Sequence, residues 1–198
     1  MDPRIVRTKQ MLRDALIELI EEIGFERITV RDLAAKAGLN RGTFYLHYKD
    51  KHDLLEQSKH DLMHGLLQVA DRNESDLLGM VQHQSLDEPY PFMVKIFEYF
   101  EEHADFLRIL LGPKGDPSFP QQWKTFMMRH FYEQFELIQF NPDTMLVPQK
   151  YITSYMISAN MGLMQEWLNS EKRLSPHDIA LMLTRLTQLG PKLASGLK

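Results

Sequence analysis

The sequence lacks cysteine, long apolar runs and the signature motifs of the common enzyme classes. Without cysteine the chain can form no disulfide framework, thiolate zinc site or iron–sulfur cluster, and it has no cysteine nucleophile. No apolar stretch approaches the roughly 20 residues that span a bilayer, and no apolar segment follows the charged N-terminus as in a secretory signal. The P-loop, the dinucleotide-binding motif, GxSxG and HExxH are also missing. We therefore expect a cytoplasmic protein that is not an enzyme, has no cofactor and does not contact a membrane.

The 198 residues, 43% hydrophobic and 25% charged, have the composition of an ordinary globular protein. The net charge of −4 is unevenly distributed. Residues 1–52 contain ten Lys/Arg and eight Asp/Glu, whereas the rest of the chain contains 13 Lys/Arg and 19 Asp/Glu. A basic N-terminal part suggests a polyanion partner for that part alone. A solvated patch without a function would explain the same charges.

Apolar residues recur at helical spacing along most of the chain, and no stretch alternates as a half-buried strand does. The predicted fold is therefore all-α, with about nine helices. Short helices are predicted from Thr29 to Gly38 and from Asn40 to Tyr48, and longer ones over residues 4–23, 51–71, 92–111, 119–140, 149–168 and 176–194. Residues 73–91 are interpreted as broken helix and loop.

Short helices joined by a glycine-containing turn near the N-terminus form the helix-turn-helix pattern. We predict a three-helix, helix-turn-helix DNA-binding domain over residues 1–50. Residues 51–198 are predicted to form an antiparallel helical bundle for ligand binding and dimerisation.

The residue types of the third helix favour DNA as the partner. Residues 29–51 read TVRDLAAKAGLNRGTFYLHYKDK. Leu39, Phe44 and Tyr48 fall near one helix face, which would pack the third helix on the second. The residues that point away from this face are hydrogen-bonding ones: Asn40, Arg41, Thr43, Tyr45 and His47.

Two further residues fit this interpretation. Gly42 lets the backbone approach a ligand closely, and Lys51 begins the next helix, whose positive dipole end and free N–H groups favour an anion. Arg41 offers a planar fork for phosphate or for the edge of guanine. The pattern predicts duplex DNA binding with the third helix in the major groove, although a helix-turn-helix can also be purely structural.

Residues 29–51, together with Leu54 and Leu55, resemble the DNA-binding domain of the TetR/AcrR family of transcriptional regulators. The resemblance extends over about residues 4–60. The resemblance rests on GFERITVRDLA, the AGL turn and RGTFYxHYxxK at consistent spacing. It implies DNA contacts by Arg31, Arg41, Thr43, Tyr45, His47 and Lys51, with Tyr45 and Lys51 on phosphate and some of Arg41, Thr43 and His47 nearer to bases. The predicted DNA-binding set is Thr29, Arg31, Asn40, Arg41, Gly42, Thr43, Tyr45, His47, Tyr48 and Lys51.

The remainder resembles the regulatory domain of the same family in architecture, in which the last two helices form a dimer. The phrases FLRILLG, GDPSF and MGLMQEWL are similar to the subgroup that includes regulators of dihydroxyacetone kinase genes. Some members of that subgroup act through a protein co-regulator or activate transcription. The sequence therefore predicts a repressor released by an unknown small-molecule effector, with a regulator under a protein co-regulator, including an activator, as the alternative.

Wide apolar stripes on the last two helices predict a homodimer joined by a four-helix bundle, and hence a palindromic operator. The alternative is that these stripes are internal core. The predicted dimer interface is Tyr151, Tyr155, Leu163, Trp167, Ile179, Met182, Leu183 and Leu186.

The middle helices are rich in aromatic residues and methionine, which suit a pocket for a flat or apolar effector. Ordinary core would have the same composition. The predicted pocket residues are Phe97, Phe100, Trp123, Phe126, Met127, His130, Tyr155 and Asn160. His60 and His64 stand four apart on one helix, as in some transition-metal sites, but no third ligand is evident. We expect them to be exposed polar residues and predict no metal.

Overall fold

The computed structural model describes residues 2–71, 83, 85–113, 115–137 and 145–196, and within these it contains nine α-helices and no strand. The predicted all-α fold is confirmed. The helices are α1 (Pro3–Ile23), α2 (Val30–Lys36), α3 (Arg41–Tyr45), α4 (Lys51–Asp71), α5 (Pro91–Glu102), α6 (Ala104–Leu111), α7 (Phe119–Leu137), α8 (Gln149–Asn169) and α9 (Pro176–Ala194). A 3-10 turn, Phe25–Arg27, follows α1. The broken helix and loop predicted for residues 73–91 lie mostly outside the described residues.

The chain forms two compact units. The first consists of Met1–Gly65 with Asp105–Phe119, and the second of Leu66–Ala104 with Pro120–Lys198. Helix α4 therefore begins in the first unit and ends in the second. The functional division between residues 50 and 51 stays a prediction. Over the described part of the chain, no helix has the length and apolar character needed to cross a membrane.

Helix α1 is amphipathic and supplies one wall of the first unit's core. It begins where the side chain of Asp2 accepts a hydrogen bond from the Arg4 backbone N–H at 2.9 Å. It ends at Gly24, whose φ of 79° favours glycine. Its buried side chains are Leu12, Ala15, Leu16, Leu19 and Ile20.

The single helix predicted over residues 92–111 is wrong, because the structure has α5 and α6 separated at His103. His103 leaves the helical region (φ −113°, ψ 17°), and its ring stacks on Tyr99 with centroids 4.2 Å apart. The two helices also serve different units: Phe97 is buried in the second and Leu107 in the first. Apolar spacing continues across the break, so periodicity alone could not reveal it.

In the second unit, α5 packs on α9, and a buried hydroxyl joins them. The backbone N–H of Tyr90 donates to Thr184 Oγ1 at 3.0 Å, and that hydroxyl donates to the Ala180 carbonyl at 2.9 Å. Helix α9 begins at Ser175, whose Oγ accepts from the Asp178 N–H. Its last turn is kinked at Gly190 (φ 67°), immediately before a proline, which the sequence interpretation did not anticipate.

Candidate DNA interface and ligand cavity

Helix α2 is fixed at its start by a reciprocal capping box. The Oγ1 of Thr29 accepts from the Asp32 N–H at 3.3 Å, and the Asp32 carboxylate accepts from the Thr29 N–H at 3.1 Å and from its hydroxyl at 2.6 Å. These hydrogen bonds, helped by the nearby Arg31, lower the pKa of Asp32. The side chain of Thr29, which was predicted to contact DNA, therefore caps the N-terminus of α2.

The turn before α3 uses a glycine and an asparagine cap. Gly38 has a φ of 66°, and the backbone N–H of Leu39 reaches back to the Ala34 carbonyl at 2.8 Å. Asn40 Oδ1 then accepts from the Thr43 N–H at 2.7 Å and lies 3.1 Å from the Thr43 hydroxyl. These contacts set the start and direction of α3.

Gly42 is the exposed second residue of α3, directly beside this cap. A Cβ at this position would lie 3.1 Å from Asn40 Oδ1, a tighter contact than is usual. Glycine therefore protects the cap and also keeps the outer surface of α3 low, so that a ligand can approach its backbone.

The inner face of α3 fixes the helix to the first unit. Phe44 is completely buried, and its ring lies 5.8 Å from that of Tyr48. Tyr48 is only 4% exposed, and burial raises the pKa of its phenol to about 12. Its place in the predicted DNA-binding set therefore needs correction, because packing has removed its side chain from the surface.

The outer face of α3 keeps the predicted donors together. Arg41 and Tyr45 are exposed, whereas Thr43 and His47 are half-buried beside them. Arg31 is exposed on α2, with its Nε 3.8 Å from the Asp32 carboxylate. The structure thus brings hydroxyl, imidazole and guanidinium groups onto one surface, as the sequence predicted for DNA contact.

Basic side chains on this unit differ in whether their charge is already balanced. Lys36 lies 2.8 Å from a Glu18 carboxylate oxygen and 2.7 Å from one of Glu22, and these hydrogen bonds raise its pKa to about 12. Within the described part of the chain, Arg41 and Lys49 form no ion pair within 4.0 Å. Their charges remain available to an external anion.

The anion site predicted at the start of α4 is already filled by the protein's own groups. Asp50 Oδ1 accepts from the N–H groups of His52 and Asp53 at 2.8 and 2.9 Å. Lys51 Nζ donates to the carbonyls of Phe25 and Glu26 at 3.1 and 2.8 Å. Lys51 therefore fastens α4 to the turn after α1, because two of its three donor N–H groups are used inside the chain.

Sequence reasoning missed Leu46, which follows α3 directly and is 81% exposed. A large aliphatic side chain among hydrogen-bond donors can contact the methyl group of thymine. The only available signal was its position between two predicted contact residues, Tyr45 and His47, on a helix too short to bury both faces.

The second unit contains a partly open cavity of about 120 Å³. A single water needs roughly 10–15 Å³ on a comparable measure, so the space is large enough for a small organic group. Helices α4, α5, α7, α8 and α9 all contribute. The described residues that line it are Leu66, Leu67, Ala70, Phe92, Met93, Ile96, Phe97, Phe100, Trp123, Met127, His130, Phe131, Ile157, Asn160, Met161, Met164 and Leu183.

Six of the eight predicted pocket residues line this cavity, and two do not. Phe126 is buried elsewhere, with the Arg129 guanidinium 5.9 Å from its ring centroid, and Tyr155 is exposed on α8. Both follow the helical spacing of a lining residue but fall on another face. His130 and Asn160 supply the polar side chains, and the described lining contains no Lys, Arg, Asp or Glu.

The predicted dimer residues divide into an exposed and a buried group. Tyr151, Tyr155, Met182 and Leu186 are exposed, at i, i+4 spacing on α8 and on α9, and Leu163 is half-exposed. Trp167, Ile179 and Leu183 are instead buried in the second unit. Trp167 meets Phe97 edge-on, with centroids 5.3 Å apart, and its Nε1 donates to a backbone carbonyl. These three belong to the core, because the chain itself covers them.

His60 and His64 lie side by side on α4, with ring centroids 4.0 Å apart. Among the residues with described positions, no group of three His, Cys, Asp or Glu side chains could hold a metal ion. The prediction that these histidines hold no metal is not tested by this arrangement.

A helix-turn-helix whose α3 presents hydrogen-bond donors outward is the arrangement found in one large class of DNA-binding proteins. The sequence matches the model of bacterial regulatory proteins of the tetR family over residues 12–57. It matches the model of a transcriptional regulator C-terminal region, TetR_C_8, over residues 87–189, just over half of the chain. The chain therefore belongs to the TetR family of transcriptional regulators.

Two curated relatives are HTH-type transcriptional regulators of Bacillus subtilis (strain 168), both described as uncharacterized. The chain is 22% identical to YxbF over 178 residues, covering 85% of this chain and 42% of YxbF. It is 34% identical to YvdT over 131 residues, covering 65% and 63%. The chain spans about half the length of the curated relatives it matches.

Solved structures share the fold. A TetR transcriptional regulator from Streptococcus agalactiae is similar at a TM-score of 0.59 and 23% identity, covering 93% of this chain and 96% of that one. The dihydroxyacetone kinase operon activator DhaS is similar at 0.56 and 15%, covering 96% and 98%. The regulator FadR from Bacillus subtilis, in complex with stearoyl-CoA, is similar at 0.54 and 16%, covering 91% and 98%.

Proposed function

We propose that this transcriptional regulator is a homodimeric repressor that binds a palindromic operator and is released by an apolar effector in the cavity of the second unit. The observation that supports DNA reading by α3 is its exposed surface around Arg41, whose guanidinium has no carboxylate within 4.0 Å among the described residues. The observation that supports effector control is the cavity, which is closed to charge along its described lining.

At the operator, α3 enters the major groove. Arg41 reads a guanine edge or binds a phosphate, and Tyr45 and Lys49 bind phosphates. Leu46 contacts a thymine methyl. Thr29 and Asn40 act indirectly, because their side chains fix the starts of α2 and α3. Lys51 has the same indirect role, since its ammonium group is held by backbone carbonyls.

Dimerisation is supported by the exposed part of the α8 and α9 stripes. Tyr151 and Tyr155 on α8 and Met182 and Leu186 on α9 are large apolar side chains that stay exposed to water in the single chain. Two helices from each copy would bury them in a four-helix bundle. A two-fold dimer then places two recognition helices about one turn of DNA apart, or a multiple of it, and reads a palindrome.

The effector is proposed to be uncharged and mostly apolar, with one hydrogen-bonding group. Aromatic and methionine side chains dominate the lining, and His130 and Asn160 are the described side chains able to orient a polar group. A buried carboxylate would find no arginine or lysine among the described lining residues. FadR from Bacillus subtilis, a structural neighbour, was solved with stearoyl-CoA, a ligand with a long apolar chain.

The second candidate is a regulator under a protein co-regulator, including an activator. It is favoured by the similarity to DhaS, which is described as an operon activator. The size and the mostly aromatic and methionine lining of the cavity favour the small-molecule proposal over it. Neither candidate requires catalysis, and we propose that the protein is not an enzyme.

The first experiment selects bound duplexes from a random-sequence pool. The wild-type protein is expected to enrich a palindrome, and the variant Arg41→Ala/Tyr45→Ala is expected to enrich none. Lys36→Met is the matched control, because it removes a basic charge that Glu18 and Glu22 already balance. Failure of the folded wild-type protein to enrich any motif contradicts the DNA-binding proposal, and enrichment of a half-site alone contradicts the dimer.

The second experiment separates the effector classes. Dodecanol and dodecanoate have the same chain length and differ in charge. The alcohol is expected to raise the melting temperature and weaken operator binding, and the acid is not, because the described lining offers it no cation. Stabilisation by both, or by neither, contradicts the proposed ligand class.

The third experiment tests the dimer by sedimentation. Tyr155→Glu/Met182→Glu is expected to sediment as a monomer, because it places charges in the proposed interface. Leu146→Glu/Val147→Glu is the control, since it adds the same two charges at exposed apolar residues outside the two stripes. A dimer that survives the double substitution contradicts the proposed interface.

A further inference from the structure

Lys59 of α4 is a buried charge that the proposed DNA and effector sites do not use. Its side chain is only 1% exposed, and its Nζ lies 2.5 Å from Glu56 Oε1 and 2.6 Å from Asp116 Oδ2. A buried ammonium is stable only when its partners remain in place. All three residues belong to the first unit, yet Asp116 lies far from Lys59 in the chain, after α6.

The loop after α6 is shaped to present Asp116. Its other carboxylate oxygen accepts from the Ser118 N–H at 2.9 Å and from the Ser118 hydroxyl at 2.7 Å. A Cβ at Gly115 would overlap the carbonyl oxygen of Ile109, so the loop lies flat on the end of α6. Burial raises the pKa of Asp116, but the hydrogen bonds from Lys59 and Ser118 outweigh it and hold the pKa below its usual value.

The chain passes between the two units at three points: after Gly65 within α4, after Ala104 and after Phe119. The cavity-lining residues closest in sequence to these points are Leu66, Phe100 and Trp123. Each stands within about one helical turn of its crossing point. A change in the cavity lining can therefore reach the first unit along every one of these connections.

Within the first unit, the Lys59–Asp116 pair joins these connections. It ties α4, which contains the first crossing, to the segment Asp105–Phe119, which lies between the other two. Helix α4 begins at Lys51, six residues after the last residue of α3, Tyr45. A displacement of the segment is thus passed to α4, the helix that follows the recognition helix in the chain.

Glu56 is a second carboxylate partner of Lys59. Its side chain is 60% exposed, whereas that of Asp116 is 17% exposed. If Asp116 withdraws, Lys59 still has a carboxylate partner that can follow it. Opening then leaves no bare buried ammonium, and an element with two accessible arrangements can transmit a ligand's preference.

We propose that the ion pair between Lys59 and Asp116 is a positioning contact that transmits occupation of the cavity to the operator-binding surface, with Glu56 holding the lysine when the pair opens. This inference rests on the proposed function, because it requires both an effector cavity and an operator site. The quantity that tests this inference is the ratio of the ligand affinities measured with and without operator. This ratio reports the coupling between the two sites and does not report the stability of the fold.

The experiment uses the full-length protein, the selected operator duplex and N-phenyl-1-naphthylamine, a neutral apolar fluorescent probe. The probe's dissociation constant is measured with and without saturating operator. We expect a ratio of about fivefold or more for the wild-type protein, within the range usual for allosteric coupling. For Asp116→Asn, which keeps the shape of the side chain but not its charge, we expect a ratio below about twofold.

Two further variants separate transmission from folding. Asp105→Asn is the matched control, because it removes the same charge from the same segment at an exposed pair with Arg108; it is expected to keep the wild-type ratio. Glu56→Gln keeps the Lys59–Asp116 ion pair, but it leaves Lys59 without a carboxylate partner when that pair opens. A lower ratio is expected for it, whereas a merely structural pair would leave the ratio unchanged.

The outcomes distinguish this inference from the function on which it rests. Equal ratios for the wild-type protein and Asp116→Asn overturn the inference and leave the effector proposal intact. A probe that does not bind the wild-type protein, or binds it with a ratio of one, overturns effector control and the inference with it. Folding of each variant is checked by circular dichroism.

Discussion

The first unit and the second unit build their candidate sites in different ways. In the first, caps and turns within residues 29–53 place the side chains, and each contact spans only a few residues. In the second, five helices distant in sequence meet around one space. Local contacts fix a surface that sequence can predict, whereas a cavity depends on which faces of distant helices meet.

The two units also differ in how closely their aromatic residues are packed. Phe44 is completely buried between α2 and its neighbours in the first unit. Phe97 is nearly as buried, but one side of its ring borders the cavity. A ring against empty space lacks contact partners on that side, so equal burial does not mean equal stabilisation.

The largest expected effect tests this difference directly. Phe44→Ala should lower the free energy of unfolding by about 3–5 kcal/mol, as for a buried phenylalanine in a closed core. Phe97→Ala should cost about 2–3 kcal/mol, because fewer contacts are lost. Urea unfolding followed by tryptophan fluorescence and by circular dichroism measures both, and the two probes reveal whether the units unfold separately.

Tyr45→Ala is the control for these substitutions, since it removes an exposed ring and should change the stability by less than about 0.5 kcal/mol. A loss for Phe97→Ala equal to that for Phe44→Ala would contradict the view that the second unit is loosely packed around its cavity.

The sequence predicted the first unit well for a physical reason. Thr29, Asn40 and Asp50 are residue types that cap helices, and each does so in the structure. The same patterns could not reveal that Lys51 is bound to two backbone carbonyls, because those carbonyls follow α1, about 25 residues earlier. The sequence also placed Tyr48 on the helix face that packs inward, but it could not show that burial there would remove the side chain from the DNA-binding set.

The second unit was predicted less completely, because helical spacing gives a face and not its neighbour. Six of the predicted pocket residues line the cavity, but Leu66, Leu67 and Ala70 of α4 were not anticipated. Leucine and alanine at helical spacing are typical of any buried helix face, so this pattern could not show that the face borders a cavity. The buried Lys59 shows the same limit, since its partner Asp116 is 57 residues away.

The next largest effect concerns two basic residues of the first unit. Arg41→Ala should weaken operator binding by about 1–3 kcal/mol if the guanidinium reads a base. Lys36→Met should leave the affinity and its salt dependence unchanged, because Glu18 and Glu22 balance its charge. Titrations at several salt concentrations measure both, and equal losses for the two variants would contradict the assignment of the free charge to Arg41.

A smaller effect is expected in the cavity wall. Asn160→Leu should stabilise the second unit by up to about 1 kcal/mol, because it replaces a polar side chain that lines an apolar space. The same change should weaken the response of operator binding to dodecanol, whose hydroxyl would lose a partner. Thermal unfolding and operator titration with the alcohol test this trade-off, and a destabilised variant with an undiminished response would show that Asn160 has a structural role alone.

The smallest expected effect at neutral pH, on operator binding, distinguishes Tyr45 from Tyr48 in the first unit. Tyr45→Phe should weaken operator binding by about 0.5–1.5 kcal/mol through a lost phosphate hydrogen bond. Tyr48→Phe should change neither affinity nor stability near pH 7, because the Tyr48 ring is packed in the core.

Above pH 10 the stabilities of the wild-type protein and Tyr48→Phe should differ. Burial raises the folded-state pKa of Tyr48 to about 12, so the phenol ionises first in the unfolded chain. Stability from the neutral phenol is therefore lost as the pH rises from about 10 to 12, and Tyr48→Phe should lack this loss. Urea unfolding at pH 7 and pH 11 measures the difference, and a weaker operator complex for Tyr48→Phe at pH 7 would return that residue to the DNA-binding surface.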